Sequence, residues 1–193
     1  MPRQSKEEID AEIVDRASAL FARHGYQHTS LQQVADAAGY SKAGLLHRFS
    51  TKEAIYLAAV HSALGRMNAL VEEIAEIPAG AERTRAVFEA LVDATTQWPG
   101  TAAFLQTVVN DNPADAAPEL VQAGAALVAA LGSSPEGMSD DALVRLISAT
   151  AGLQAAASTA ARRDRARQWR PLIVAAAMDA IGPARLDGPA NAD

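Results

Sequence analysis

Residues 40–51 carry two cations, Lys42 and Arg48, one histidine, His47, and no carboxylate. Cations without acids beside them suit the neutralising of a nucleic-acid backbone, because each neutralised phosphate sheds condensed counterions. This local absence of negative charge weighs more for phosphate contact than the formal charge of −6 on the whole chain. Bond-making chemistry finds little to work with. No H-E-x-x-H, P-loop, G-x-S-x-G or G-x-G-x-x-G string is present. His61 stands alone on its helix. The acid pairs Glu72-Glu73 and Asp140-Asp141 are adjacent in sequence, so their side chains diverge by about 100° around a helix. With no cysteine, thiolate zinc sites, cysteine nucleophiles and disulfides are excluded. The expectation is a chain that is not an enzyme, with no catalytic set, no metal and no cofactor.

The elements that hold those cations must be helices. Alanine supplies 45 of 193 residues, against 12 valines and 8 isoleucines, so the strongest helix former is abundant and β-branched residues are scarce. No apolar run approaches the roughly 18 uncharged residues of a membrane span. The charged start, residues 1–9, leads into no signal-peptide stretch. A soluble, cytoplasmic, nearly all-helical protein is expected, with no membrane partner.

Ser5-x-x-Glu8 has the form of a capping box and opens a first helix with Ile9, Ile13, Ala17, Leu20 and Phe21 on one face, ended by Gly25. Thr29 and Ser30 open a short second helix through Leu31, Val34, Ala35 and Ala38, and Gly39 stops it. Ser41 caps a third over residues 42–49, with Leu45 and Phe49 inward. Ser50-x-x-Glu53 reads as another capping box and opens a long fourth, broken at residues 78–80. Helices are then expected at 82–97, 101–110, 116–131, 140–160 and 166–181, with proline and glycine marking most of the breaks. Residues 183–193 hold two prolines, a glycine and no apolar period, and read as a disordered tail.

Residues 29–52, TSLQQVADAAGYSKAGLLHRFSTK, ask for two short helices crossing near a right angle. Ala35 is small where the axes approach, and Gly39 can take φ > 0 in the turn. Leu31, Val34 and Leu45 tie the unit to the first helix, leaving Lys42, Ala43, Leu46, His47 and Arg48 on the third. A cationic first turn, small residues and no acid allow such a helix to enter a DNA major groove. Residues 1–52 carry seven Lys/Arg against six acids, and residues 53–193 carry ten against seventeen, so the two parts suit different partners.

Residues 13–58 resemble the DNA-binding domain of the TetR family of bacterial transcriptional regulators, through LFARHGY, TSLQQVADAAG, YSKAGLLHRF and STKEAI at fixed spacing. The chain departs from the family pattern where Leu46 replaces a tyrosine and Gly44 a threonine. A phosphate donor and a base reader are thereby removed, which leaves more of the readout to DNA shape.

The resemblance implies an all-α chain. A three-helix, helix-turn-helix DNA-binding domain occupies residues 1–52, and a larger helical effector-binding and dimerisation domain residues 53–182. It implies a homodimer whose third helices enter successive major grooves of a pseudo-palindromic operator in double-stranded DNA. It also implies a ligand-responsive repressor, released by a small-molecule effector. By position, Thr29 or Ser30, Tyr40 and Lys52 would hold phosphates. Ser41, Lys42, Ala43, Gly44 and His47 would face base edges, with Gln32 and Arg48 reaching the backbone or a base.

In the remainder, Phe88, Leu91, Thr95, Phe104, Gln106, Val108 and Asn110 fall on central helices, where they either line a largely apolar effector cavity or fill the core. Trp98 and Trp169 are core, interface or pocket wall. The helices at 140–160 and 166–181, rich in small residues, suit a four-helix bundle between two subunits. The cationic run Arg162, Arg163, Arg165, Arg167 and Arg170 is a solvated turn, a second nucleic-acid patch or a set of partners for acids. An all-helical interaction module that keeps the fold without specific DNA binding is the alternative reading.

Overall fold

The computed structural model describes residues 5–110, 118–131 and 138–182, and for residues 108–110 and 123 the backbone only. Among the described residues there are nine helices and no strand: α1 (Lys6–His28), α2 (Leu31–Ala38), α3 (Lys42–Arg48), α4 (Lys52–Ile74), α5 (Ala81–Gln97), α6 (Pro99–Asn110), α7 (Pro118–Ala130), α8 (Asp140–Arg162) and α9 (Ala166–Ile181). The tail expected at 183–193 lies outside the described residues.

Side-chain caps set several of the boundaries. Ser5 and Glu8 form the expected reciprocal box on α1, Ser30 and Gln33 form one on α2, and Ser139 accepts from the Ala142 N–H at the start of α8. Two details differ from the sequence reading. Gly25, at φ 76° and ψ 161°, breaks the α1 ladder, but the chain resumes one further helical turn to His28. At α4 the cap is Thr51, whose hydroxyl accepts from the Ala54 N–H at 3.0 Å, one residue beyond the expected Ser50.

Packing divides the chain into two compact units, Met1–Gly65 with Trp98–Leu120, and Arg66–Gln97 with Val121–Asp193. The first unit therefore extends past the segment 1–52 and takes in α6. Its core joins Ile13, Val14, Ala17 and Phe21 of α1 to Val34 and Ala35 of α2, Leu45 of α3, Ile55 and Ala59 of α4 and Phe104 of α6.

A buried carboxylate draws α6 onto α1. Asp15 accepts from the Gly100 N–H at 3.2 Å, the Thr101 N–H at 2.8 Å and the Thr101 hydroxyl at 3.0 Å. It thus satisfies N–H groups at the start of α6 that have no partner within the helix, at the end whose dipole favours an anion. A Cβ on Gly100 would sit 1.8 Å from the Asp15 carbonyl oxygen, so glycine is what lets the two helices meet there.

The second unit packs α5, α8 and α9 on one another. Leu146, Ala149, Leu153, Ala157 and Ala160 of α8 repeat at three and four residues. They bury against Val87, Phe88 and Val92 of α5 and Ile173, Val174 and Ala177 of α9. Arg170 of α9 reaches Asp93 (2.7 Å) and Glu89 (3.4 Å) of α5, and the hydrogen bond to Asp93 chiefly raises its pKa. The cationic run thus sits at the α8–α9 corner, where Asp164 takes the left-handed conformation (φ 53°). Arg162 donates to Thr159, Arg163 lies over the Trp169 ring and Arg165 donates to Gln168. Its members mostly find partners within their own unit. Leu143, Val144 and Ile147 of α8 and Leu172 of α9 are exposed, Leu172 to 65%.

Candidate nucleic-acid interface

The turn between α2 and α3 is built as its residues require. Gly39 is left-handed (φ 76°, ψ 26°) and ends α2, and the following Tyr40 N–H returns to the Ala35 carbonyl at 2.9 Å. Ser41 then caps α3 by accepting from the Gly44 N–H at 3.1 Å. A Cβ on Gly44 would stand 3.2 Å from that capping hydroxyl, so glycine leaves the cap uncrowded. Leu45, fully buried, anchors the seven-residue α3 in the first unit's core.

Opposite that anchor α3 carries no acid. Ser41, Lys42, Ala43 and His47 are exposed, and Gly44 and Leu46 are half-buried. Ser30 and Gln32 are exposed on α2, where Gln32 donates to Asp36 at 2.7 Å. Tyr40 is half-buried against the core.

Three of the residues expected at phosphates or bases have partners within the protein. Thr29 is 1% exposed and its hydroxyl donates to the Gly25 carbonyl at 2.9 Å, so of the two alternatives Thr29 and Ser30, only Ser30 presents a side chain outward. Arg48 pairs with Asp10 of α1. Lys52 donates to the Tyr26 carbonyl at 2.8 Å and lies 4.2 Å from the centre of the Tyr26 ring. An ammonium carries three donors, so two of the Lys52 hydrogens are not engaged by that carbonyl.

Asp10, Asp15 and Tyr26 thus shape the site although sequence spacing singled out none of them. Asp10 and Asp15 meet partners 38 and 85 residues away, and no local pattern encodes such a distance. Tyr26 had a weaker signal, an aromatic directly after a helix-breaking glycine. Its ring stacks edge-on to Tyr56 (4.9 Å), which also meets Phe21 (5.4 Å) and Phe104 (5.7 Å). Burial first, and the neighbouring Tyr26 second, push the Tyr56 phenol pKa up.

The residues expected to line an effector cavity divide between the units. Phe88, Leu91 and Thr95 belong to the second, Trp98 and Phe104 to the first. Phe88 is fully buried in its core, and Phe104 packs among the aromatic rings. The Val108 and Asn110 side chains lie outside the description. Among the described residues no group of three or more His, Cys, Asp or Glu could hold a metal ion, and no helix is long and apolar enough to cross a membrane.

Two short helices joined by a left-handed glycine, with the second anchored by one leucine and polar outside, form a helix-turn-helix. Residues 13–59 match the family model described as bacterial regulatory proteins, tetR family. An uncharacterized HTH-type transcriptional regulator, YezE of Bacillus subtilis, is 35% identical over 92 residues, 47% of each chain. The HTH-type transcriptional repressor AcnR of Corynebacterium diphtheriae is 33% identical over 92 residues, 43% of this chain and 48% of that protein. The matched segment thus spans about half the length of these curated relatives. A solved structure of AibR in complex with isovaleryl coenzyme A and operator DNA shares the fold at a TM-score of 0.50. It is 18% identical and the match covers 88% of this chain and 97% of that one. Its N-terminal segment is thus similar to that of bacterial regulatory proteins of the tetR family.

Proposed function

We propose that the chain is a ligand-responsive transcriptional repressor that binds a pseudo-palindromic operator as a homodimer and leaves it when a small molecule binds. The observation that carries this reading is the acid-free outer face of α3, with Ser41, Lys42, Ala43 and His47 exposed opposite the buried Leu45. The relatives named as transcriptional regulators support it. None of them favours an interaction module without DNA binding, or an enzyme.

In this reading residues 1–52 contact DNA and residues 53–182 bind the effector and dimerise, in the cytoplasm. Ser30, Tyr40 and the remaining donors of Lys52 hold phosphates, while Ser41, Lys42, Ala43, Gly44 and His47 face base edges and Gln32 the backbone. The exposed Leu143, Val144, Ile147 and Leu172 face their counterparts in a second copy, a patch whose burial is favourable. A largely apolar effector prefers a conformer whose reading helices are wrongly spaced.

Anisotropy titrations over a range of salt, on an operator selected from random duplexes and on a scrambled duplex, test the reading. Lys52→Ala should weaken binding to both duplexes and lower the salt slope by about 0.9, one phosphate contact. Lys42→Ala should instead erode the preference between them. Equal affinity of the unmodified protein for every duplex would end the reading.

A further inference from the structure

Arg48 does not face outward with the other polar side chains of α3. Its guanidinium pairs with Asp10 of α1, the two side chains being 21% and 31% exposed. Helix α3 has seven residues, and among them Leu45 alone is buried. Leu45 within the helix and the half-buried Tyr40 and Phe49 just beyond its ends hold it to the core, and the ion pair adds a polar tie to α1. Leu45 and Arg48 are three residues apart and share a face. Ala43 and His47, each two residues from Leu45, point about 160° away from it at about 100° per residue.

The geometry points to Arg48 and Asp10 as positioning residues for DNA reading. Their pair fixes the rotation of α3 on α1, and so the direction in which Ala43 and His47 leave the protein, without touching DNA. This rests on the DNA-reading function proposed above, and it removes Arg48 from the groups that contact DNA. A guanidinium already paired with a carboxylate has little net charge to offer a phosphate. The pair is single and still reached by solvent, so its loss leaves the unit folded and acts on helix direction.

The test uses the full chain with Asp10→Asn, Arg48→Gln and the double substitution, titrated at several salt concentrations on the selected operator and on its scrambled duplex. Each single change should lower the operator-to-scrambled affinity ratio by about tenfold, the discrimination of one good base contact. The double change should lower it no further, and the salt slope should stay that of the unmodified protein. A slope reduced by about 0.9 in Arg48→Gln places Arg48 on a phosphate and overturns the proposal. So does an Asp10→Asn protein that binds both duplexes more tightly and equally, or an unchanged ratio in variants with unchanged melting temperature. If the unmodified protein prefers no duplex, the reading under Proposed function fails and amide hydrogen exchange decides the inference. Both substitutions should speed exchange across α3 to the same extent, and unchanged exchange overturns it.

Discussion

In the first unit, Phe21, Tyr26, Tyr56 and Phe104 meet in a chain of tilted and edge-on rings, and a buried carboxylate caps a helix start. In the second, the buried apolar cluster is, apart from Phe88, leucine, isoleucine, valine and alanine, and five of them are alanines of α7, α8 and α9. Rings and hydrogen bonds have preferred angles, so they fix direction as well as distance. Aliphatic packing is set mainly by volume and shape, and it tolerates exchanges that keep total volume. The unit that carries the short α3 is the one whose core fixes angles.

The sharpest break between the two comes from Phe88→Ala. Phe88 is among the largest fully buried side chains, and its loss should remove about 4 kcal/mol from the second unit. Trp169 fluorescence in urea reports that unit, and Trp98 the first. If both transitions move together, the units unfold as one and the contrast has no thermodynamic meaning.

Next in size is Gly100→Ala. The new Cβ collides with Asp15 backbone rather than a flexible side chain, so α1 and α6 must part at about 3 kcal/mol. That loss belongs to the Trp98 transition, and a change below about 0.5 kcal/mol would show that the helices are farther apart than described.

The smallest effect is a slope with pH. Folding raises the Tyr56 pKa, so the folded state holds the phenol proton more tightly than the unfolded chain. The resulting stability is complete below about pH 10 and is lost as pH rises through the folded value. Melting temperatures from about pH 9 to 11 should fall less steeply for Tyr56→Phe than for the unmodified protein.

Local chemistry was readable in advance, and long-range pairing was not. Ser5 with Glu8, Ser30, Gly39, Ser41 and Ser139 act within a turn of where they stand, so spacing alone located them. The anchoring Leu45 was visible in the same way. Thr29 and Arg48 looked outward because a hydroxyl and a guanidinium usually do. Thr29 is turned inward by the Gly25 carbonyl only four residues back, which the kink at that glycine frees, whereas Arg48 is turned by Asp10, 38 residues away. The extension of the first unit to α6 depends on Asp15, whose burial nothing near it in sequence announces.

Gly25 is solvent-exposed, and a Cβ built on it would touch nothing within 4 Å. Its torsion angles nevertheless belong to a region that only glycine occupies readily. A scan of all substitutions at this position would therefore meet intolerance amid empty space. The constraint comes from bond rotation, and its reach extends to Tyr26, one residue on, where the ring that seats Lys52 takes its place.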